Sequence, residues 1–184
     1  MTDDIESVLT QLRSDHKNMV ALLKRLETEA DRLYADAEPD FEMMHDIMLY
    51  MTEFPDAVHH PKENRLYALL KTSRPDLTAG FERISLDHRT IAAMGLSLKD
   101  QIASVTSESM VRRNALVSDC LRYVNTQRSH MQWEEIDLFR RCRQLCADGK
   151  TLTVADADDP TDPLFGRTVE RRFQRLYSAL ARAL

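Results

Sequence analysis

The sequence predicts an all-α protein, an antiparallel up-down-up-down four-helix bundle with an additional C-terminal helix. Three observations carry that expectation. Apolar residues recur at three- and four-residue steps along nearly the whole chain, the period of a helix that buries one face. Glycine occurs 4 times and proline 6 times in 184 residues, too few for the turns of a sandwich or barrel or for glycine-rich phosphate loops. The periodic stretches are long and the breaks between them short, which makes consecutive helices antiparallel neighbours. A chain of this length can build its own core, and 43% hydrophobic with 30% charged residues is a globular composition.

The first helix is expected from about Asp3 to Ala35. It carries Ile5, Leu9, Leu12, Met19, Leu22, Leu23 and Leu26 on one stripe, and Glu38-Pro39 breaks it. The second begins near Asp40 with Phe41, Met44, Met48 and Met51 and runs on through Leu66, Ala68 and Leu70. Pro55 and Pro61 lie inside it; each removes a backbone donor and crowds the preceding turn, which predicts a kink. Arg74-Pro75-Asp76 is the next break. The third helix carries Leu77, Phe81, Ile84, Ile91, Met94 and Leu98, and a polar turn follows from Ser104 to Ser109. The fourth carries Val111, Leu116, Val117, Leu121, Val124, Met131, Leu138 and Leu145 and ends at Asp148-Gly149, a C-cap signal. Residues 1–148 thus form the bundle. Residues 149–184 form an Asp/Pro-rich loop and a C-terminal helix packed on the bundle through Val169, Phe173, Leu176, Tyr177 and Leu180, with Arg167, Arg171, Arg172 and Arg175 on a solvated face.

Several partner classes drop out. A net charge of −5 argues against a nucleic-acid binder. No run approaches the ~18 apolar residues of a membrane span. The start, MTDDIESVLT, shows neither a basic region nor an apolar one, so no leader is expected. Cys120, Cys142 and Cys146 read as reduced thiols, which fits a cytoplasmic location.

The histidines carry the chemistry. His59 and Glu63 stand at i and i+4, and so do His130 and Glu134; on a helix each pair lies on one face. His16 and His88 each follow an aspartate. The spacing repeats: 88 − 16 is 72, 130 − 59 is 71 and 134 − 63 is 71. One unit, DH then a turn then HxxxE, therefore occurs twice, each time as a helical hairpin. In an antiparallel hairpin, residues equidistant from the turn lie at one height. The midpoints of consecutive histidines, 37.5, 73.5 and 109, all fall on predicted turns, which puts one histidine from each helix in a single layer. His16, His88 and His130 share stripes with core residues. Four imidazoles and two carboxylates buried together are costly without a compensating partner, and a metal supplies it. These donors suit iron, with zinc or manganese as alternatives, and two bridging glutamates favour two ions over one. Counting donors and an oxo or hydroxo bridge leaves open positions, as expected of a site that meets a small molecule.

With these motifs in view (DHKNM around His16, HHPKENRLY around His59 to Glu63, DHRTI around His88, HMQWEEIDLF around His130 to Glu134), the sequence resembles the hemerythrin-like, or HHE cation-binding, family over about residues 5 to 147. DPLFG, from Asp162 to Gly166, also looks like the tail of bacterial members. The resemblance implies a non-haem di-iron centre, two iron ions with an oxo or hydroxo bridge, that binds, senses or reduces oxygen, nitric oxide or peroxide. It carries over to His16, His59, Glu63, His88, His130 and Glu134 as metal ligands. Oxygen-carrying members take a further histidine from the third helix, where Ala92 stands here, and end on an aspartate, where Glu134 stands here. The four-His, two-Glu set looks more like the di-iron domain of iron–sulfur-cluster repair proteins. Iron handling or iron-centre repair is therefore an alternative function. Another is a metal-stabilised regulatory module whose terminal helix docks a partner or a second copy, giving a homodimer. No catalytic residue beyond the ligands is evident.

Three residues complete the reading. His60 points ~100° away from His59 and is expected to orient a ligand or to replace His59 if the proline kink turns the helix. His45 precedes His59 by 14 residues, about 21 Å along a straight helix, too far to share the centre. Tyr123, seven residues before His130, is expected to line the small-molecule pocket.

Overall fold

Asp4 starts the first helix: its carboxylate accepts the Ser7 N–H at 2.8 Å. In the computed structural model, which describes residues 2–106, 113–147, 153–155 and 161–181, helix α1 spans Ile5–Tyr34 and buries Leu9, Leu12, Leu22, Leu23 and Leu26 completely. Asp36, with φ of 56°, reverses the chain, and Asp40 caps α2 (Phe41–Phe54) by accepting the Met43 N–H.

At Pro55 the helix widens instead of breaking. Proline has no N–H to give the preceding turn and its ring crowds the carbonyl there. The chain answers with a π-turn, Pro55–His59, closed by the His60 N–H on the Pro55 carbonyl. Helix α3 (His60–Ser73) follows without interruption, with Pro61 in its first turn, where no donor is needed. The expected kink is thus a single wide turn. The third helix begins later than its periodicity suggested. Pro75–Leu77 and Phe81–Arg83 are separate 3₁₀ turns around Gly80, whose φ of 86° no other residue type adopts easily, and α4 runs from Ile84 to Thr106. Helix α5 (Arg113–Trp133) leads through a second π-turn, Glu134–Leu138, into α6 (Phe139–Ala147). No proline stands at this turn, and nothing in the structure explains it. Part of the expected polar turn (107–109) and the Asp148-Gly149 cap lie outside the described residues, as does the proposed boundary at 148.

Two short strands, β1 (Thr2–Asp4) and β2 (Thr153–Ala155), pair antiparallel with Thr2 opposite Ala155. The sequence had placed Asp3 in the first helix and 151–166 in a loop. Further on, Asp162 anchors the C-terminal segment: it accepts the Leu164 and Phe165 N–H groups and the buried Tyr50 hydroxyl at 2.9 Å. The expected fifth helix opens with a 3₁₀ turn, Arg171–Phe173, and continues as α7 (Gln174–Ala181). Leu164, Phe173 and Leu176 join the bundle's apolar interior. Two of the arginines expected on a solvated face are exposed and also form ion pairs: Arg172 with Glu53 at 2.6 Å, and Arg175 with Asp46 at 2.9 Å and with Glu42.

Apart from that strand pair, the architecture is a helical bundle with an extra C-terminal helix. Helix α1 packs more on α5 than on α2, and α2 more on α4 than on α1. The interior is two apolar clusters. One holds Met19 to Val58, Ile91 to Ile102 and Leu116 to Met131 with the C-terminal segment; the other holds Ile5 to Leu12, Leu66, Leu70, Phe81, Ile84 and Leu138 to Leu145. Between them lies a polar layer.

Candidate metal centre

That layer contains His16 from α1, His59 from the end of the first π-turn, His60 and Glu63 from the first turn of α3, His88 from α4, His130 from α5 and Glu134 from the start of the second π-turn. All seven are buried, Glu63 and Glu134 fully. The structure brings together the six residues the spacing selected, and His60 with them.

The inward atoms are close. His59 Nε2 lies 3.1 Å from both His16 Nε2 and Glu63 Oε1; His130 Nε2 lies 3.0 Å from Glu134 Oε1. His88 Nε2 stands 3.4 Å from Glu63 Oε2 and 3.5 Å from Glu134 Oε1, and His16 Nε2 stands 3.6 Å from Glu134 Oε2. Yet both oxygens of Glu63 and of Glu134, Nε2 of His88 and both nitrogens of His130 are buried without a hydrogen bond. The atoms aim past one another toward shared points. Donors at ~2.1 Å from an ion stand about 3 Å apart along the edges of an octahedron, and these separations are of that size. Orphaned buried donors converging at that spacing fit a metal. The nitrogens and oxygens form two clusters, His16 with His59, Glu63 and Glu134, and His60 with His88 and His130.

Three of the outward nitrogens are held by carboxylates. His16 Nδ1 meets Glu135 Oε1 at 2.9 Å, His59 Nδ1 meets Asp15 Oδ2 at 3.2 Å, and His60 Nδ1 meets Asp56 Oδ1 at 3.0 Å. Such partners fix the ring and hold a proton on the outward nitrogen, so that the inward nitrogen is the one a metal would take once any proton there is displaced. Phe139 stacks on His16 with ring centroids 5.6 Å apart. Sequence spacing missed Glu135, Asp56 and Phe139. The adjacent Asp15-His16 is visible in the sequence, but Asp15 serves His59 across the hairpin rather than its own neighbour.

The electrostatics are those of a site that binds cations. Burial works against charge on every member, but the histidines around Glu63 outweigh it and hold that carboxyl well below its usual range. Glu134 is lowered too, as His130 and His88 overcome burial and the repulsion of Glu63. Burial pushes His59 down, but Glu63 and Asp15 raise it to about 10; the two glutamates likewise overcome burial at His88 and raise it to about 9. At His60 burial prevails and the pKa falls.

The remaining candidates are not members of the two donor clusters. Tyr123 sits in the larger apolar cluster, its hydroxyl accepting from Gln127 Nε2 at 3.1 Å, and burial raises its pKa. His45 stands half-exposed on α2 beside Asp46. Cys120 and Cys142 are buried; burial pushes the Cys120 thiol up to about 12. The side chain of Cys146 lies outside the described residues. Among the described residues no helix is long and apolar enough to cross a membrane. Two surface clefts flank the layer, one of about 350 Å³ bordered by His16 and Glu135, one of about 340 Å³ bordered by His130 and Asp87.

Comparison with known families gives one match: the hemerythrin HHE cation binding domain, over residues 7–142. No curated protein and no solved structure matches the chain.

Proposed function

The chain belongs to the hemerythrin HHE cation-binding family, and from that membership we propose that it holds two iron ions and uses them to bind, sense or reduce a small molecule: oxygen, nitric oxide or peroxide. One observation carries the two-ion reading. Each glutamate turns one oxygen to each side of the layer. Glu63 offers Oε1 toward His59 and Oε2 toward His88; Glu134 offers Oε2 toward His16 and Oε1 toward His130. Carboxylates so placed could serve two ions at once, of which His16 and His59 would hold one and His88 and His130 the other. Imidazole with carboxylate, at open coordination, suits iron. Iron held there would supply the electrons and the binding position. The chain supplies rings locked by Asp15 and Glu135, and apolar clusters on both sides that keep bulk water out.

The test is metal content and visible spectrum of protein from iron-supplemented cells. About two irons per chain is expected, with an absorption that changes on adding nitric oxide or peroxide. Zinc alone, or an intact fold that takes up no metal, overturns the proposal. Replacing Glu63 and Glu134 together by Ala abolishes dinuclear loading; retention of both ions by that variant overturns the ligand set.

A further inference from the structure

The six donors just assigned leave one buried histidine over. His60 is 7% exposed, and one of its nitrogens lies within 4.8 Å of nitrogens of His88 and His130. Asp56 takes up its Nδ1 at 3.0 Å, which leaves the lone pair on Nε2. Three imidazoles therefore gather on one side of the centre and two on the other.

Ring orientation separates His60 from its neighbours. His88 and His130 meet at 85° with centroids 4.9 Å apart, so their planes intersect and one ion can lie in both. His60 and His88 are stacked, centroids 3.7 Å apart and planes 13° from parallel. An ion bound to an imidazole nitrogen lies in the plane of that ring. Two nearly parallel planes at stacking distance share no such point within bonding reach. While stacked on His88, His60 cannot donate to the same ion; turned off the stack, it can.

We propose that His60 is an exchangeable fifth nitrogen donor for the ion on the His88–His130 side. In one state its ring is parked on His88, and in the other Nε2 closes that ion's open position. The inference rests on the two-ion reading above. His60 follows directly on the wide turn at Pro55, and its anchor Asp56 belongs to that same turn.

The test titrates metal-free protein with cobalt(II), whose visible absorption rises as coordination number falls. It compares the wild type with His60→Ala and His60→Phe. Phenylalanine keeps a flat ring on His88 and removes the donor. All three proteins are expected to take up about two cobalt ions per chain, with one of the two bound about tenfold or more weakly in both variants and absorbing more strongly. The ion that keeps wild-type affinity shows that each variant is folded, and added imidazole restores the wild-type spectrum in His60→Ala. Wild-type affinity and spectrum in both variants overturns the proposal. So does weakening in His60→Ala alone, which means the stack and not the nitrogen matters. Should His60→Ala fail to fold, His60→Phe decides by the same two readouts. A wild-type chain that binds at most one cobalt overturns the two-ion reading itself, and this inference with it.

Discussion

At the scale of single residues the centre is a set of buried charges waiting for a counterpart. Raised pKa values at His59 and His88 mean that both carry protons at neutral pH in the metal-free chain, facing depressed carboxylates. Their sign is the usual one for a histidine with an anionic partner: the stabilisation is complete below about pH 6.5 and is lost as pH rises through 9 to 10. A metal must displace those protons. Loading at pH 7 is therefore expected to release about two protons, one from each ring, and above pH 10 these two sites release none. Calorimetry in buffers of different ionisation enthalpy measures the number; zero release at pH 7 contradicts the charge state described here. The donors themselves were legible as residues, because HxxxE pairs one helical turn and the 71-residue offset are visible in one dimension. Their supports were not. Glu135 reaches His16 across 119 positions, and only the packed structure brings such a pair together.

At the scale of elements the helices were legible, and their departures from regularity were read only in part. Pro55 announces a disturbance, but whether a helix kinks or widens depends on what the next turn must present, here two histidines and a glutamate. The β1–β2 pair escaped notice because three residues on each side leave no periodicity to detect. Gly95 shows what spacing alone hides. It lets α4 come close to α2 and α5: a β-carbon there would stand 3.1 Å from Thr52 Cγ2 and 3.3 Å from Tyr123 Cε2. Gly95→Val must push those elements apart and is expected to cost about 1–3 kcal/mol of stability by urea denaturation, outweighing any gain in helix propensity. A variant as stable as the wild type would mean the contact yields freely.

At the scale of the molecule the polar layer interrupts the core. Each apolar cluster coheres by itself, and the donors between them come from all four bundle helices, so an ion there ties together what the hydrophobic effect leaves divided. A ligand that binds only the folded state at a hundred times its dissociation constant adds about 2.7 kcal/mol. Removing metal with a chelator is expected to lower the melting temperature by several degrees and to broaden the transition, as the two ends lose their common link. Calorimetry with and without metal measures both; identical traces exclude a metal-linked fold. The duplicated unit and the midpoint rule predicted this layer from the sequence. The split of the core on either side of it could not be read there, since it depends on which stripes meet.

The interlocking of the two hairpins also matters during synthesis. Because α1 leans most on α5, and α2 on α4, the first hairpin leaves the ribosome with its main partners still untranslated. Nascent chains of about a hundred residues therefore expose apolar surface and lack two of the six donors, the state in which partly made chains are prone to aggregate. The last donors, His130 and Glu134, are made before α6 and the C-terminal segment that complete the two apolar clusters, so the donor set is whole before the core is.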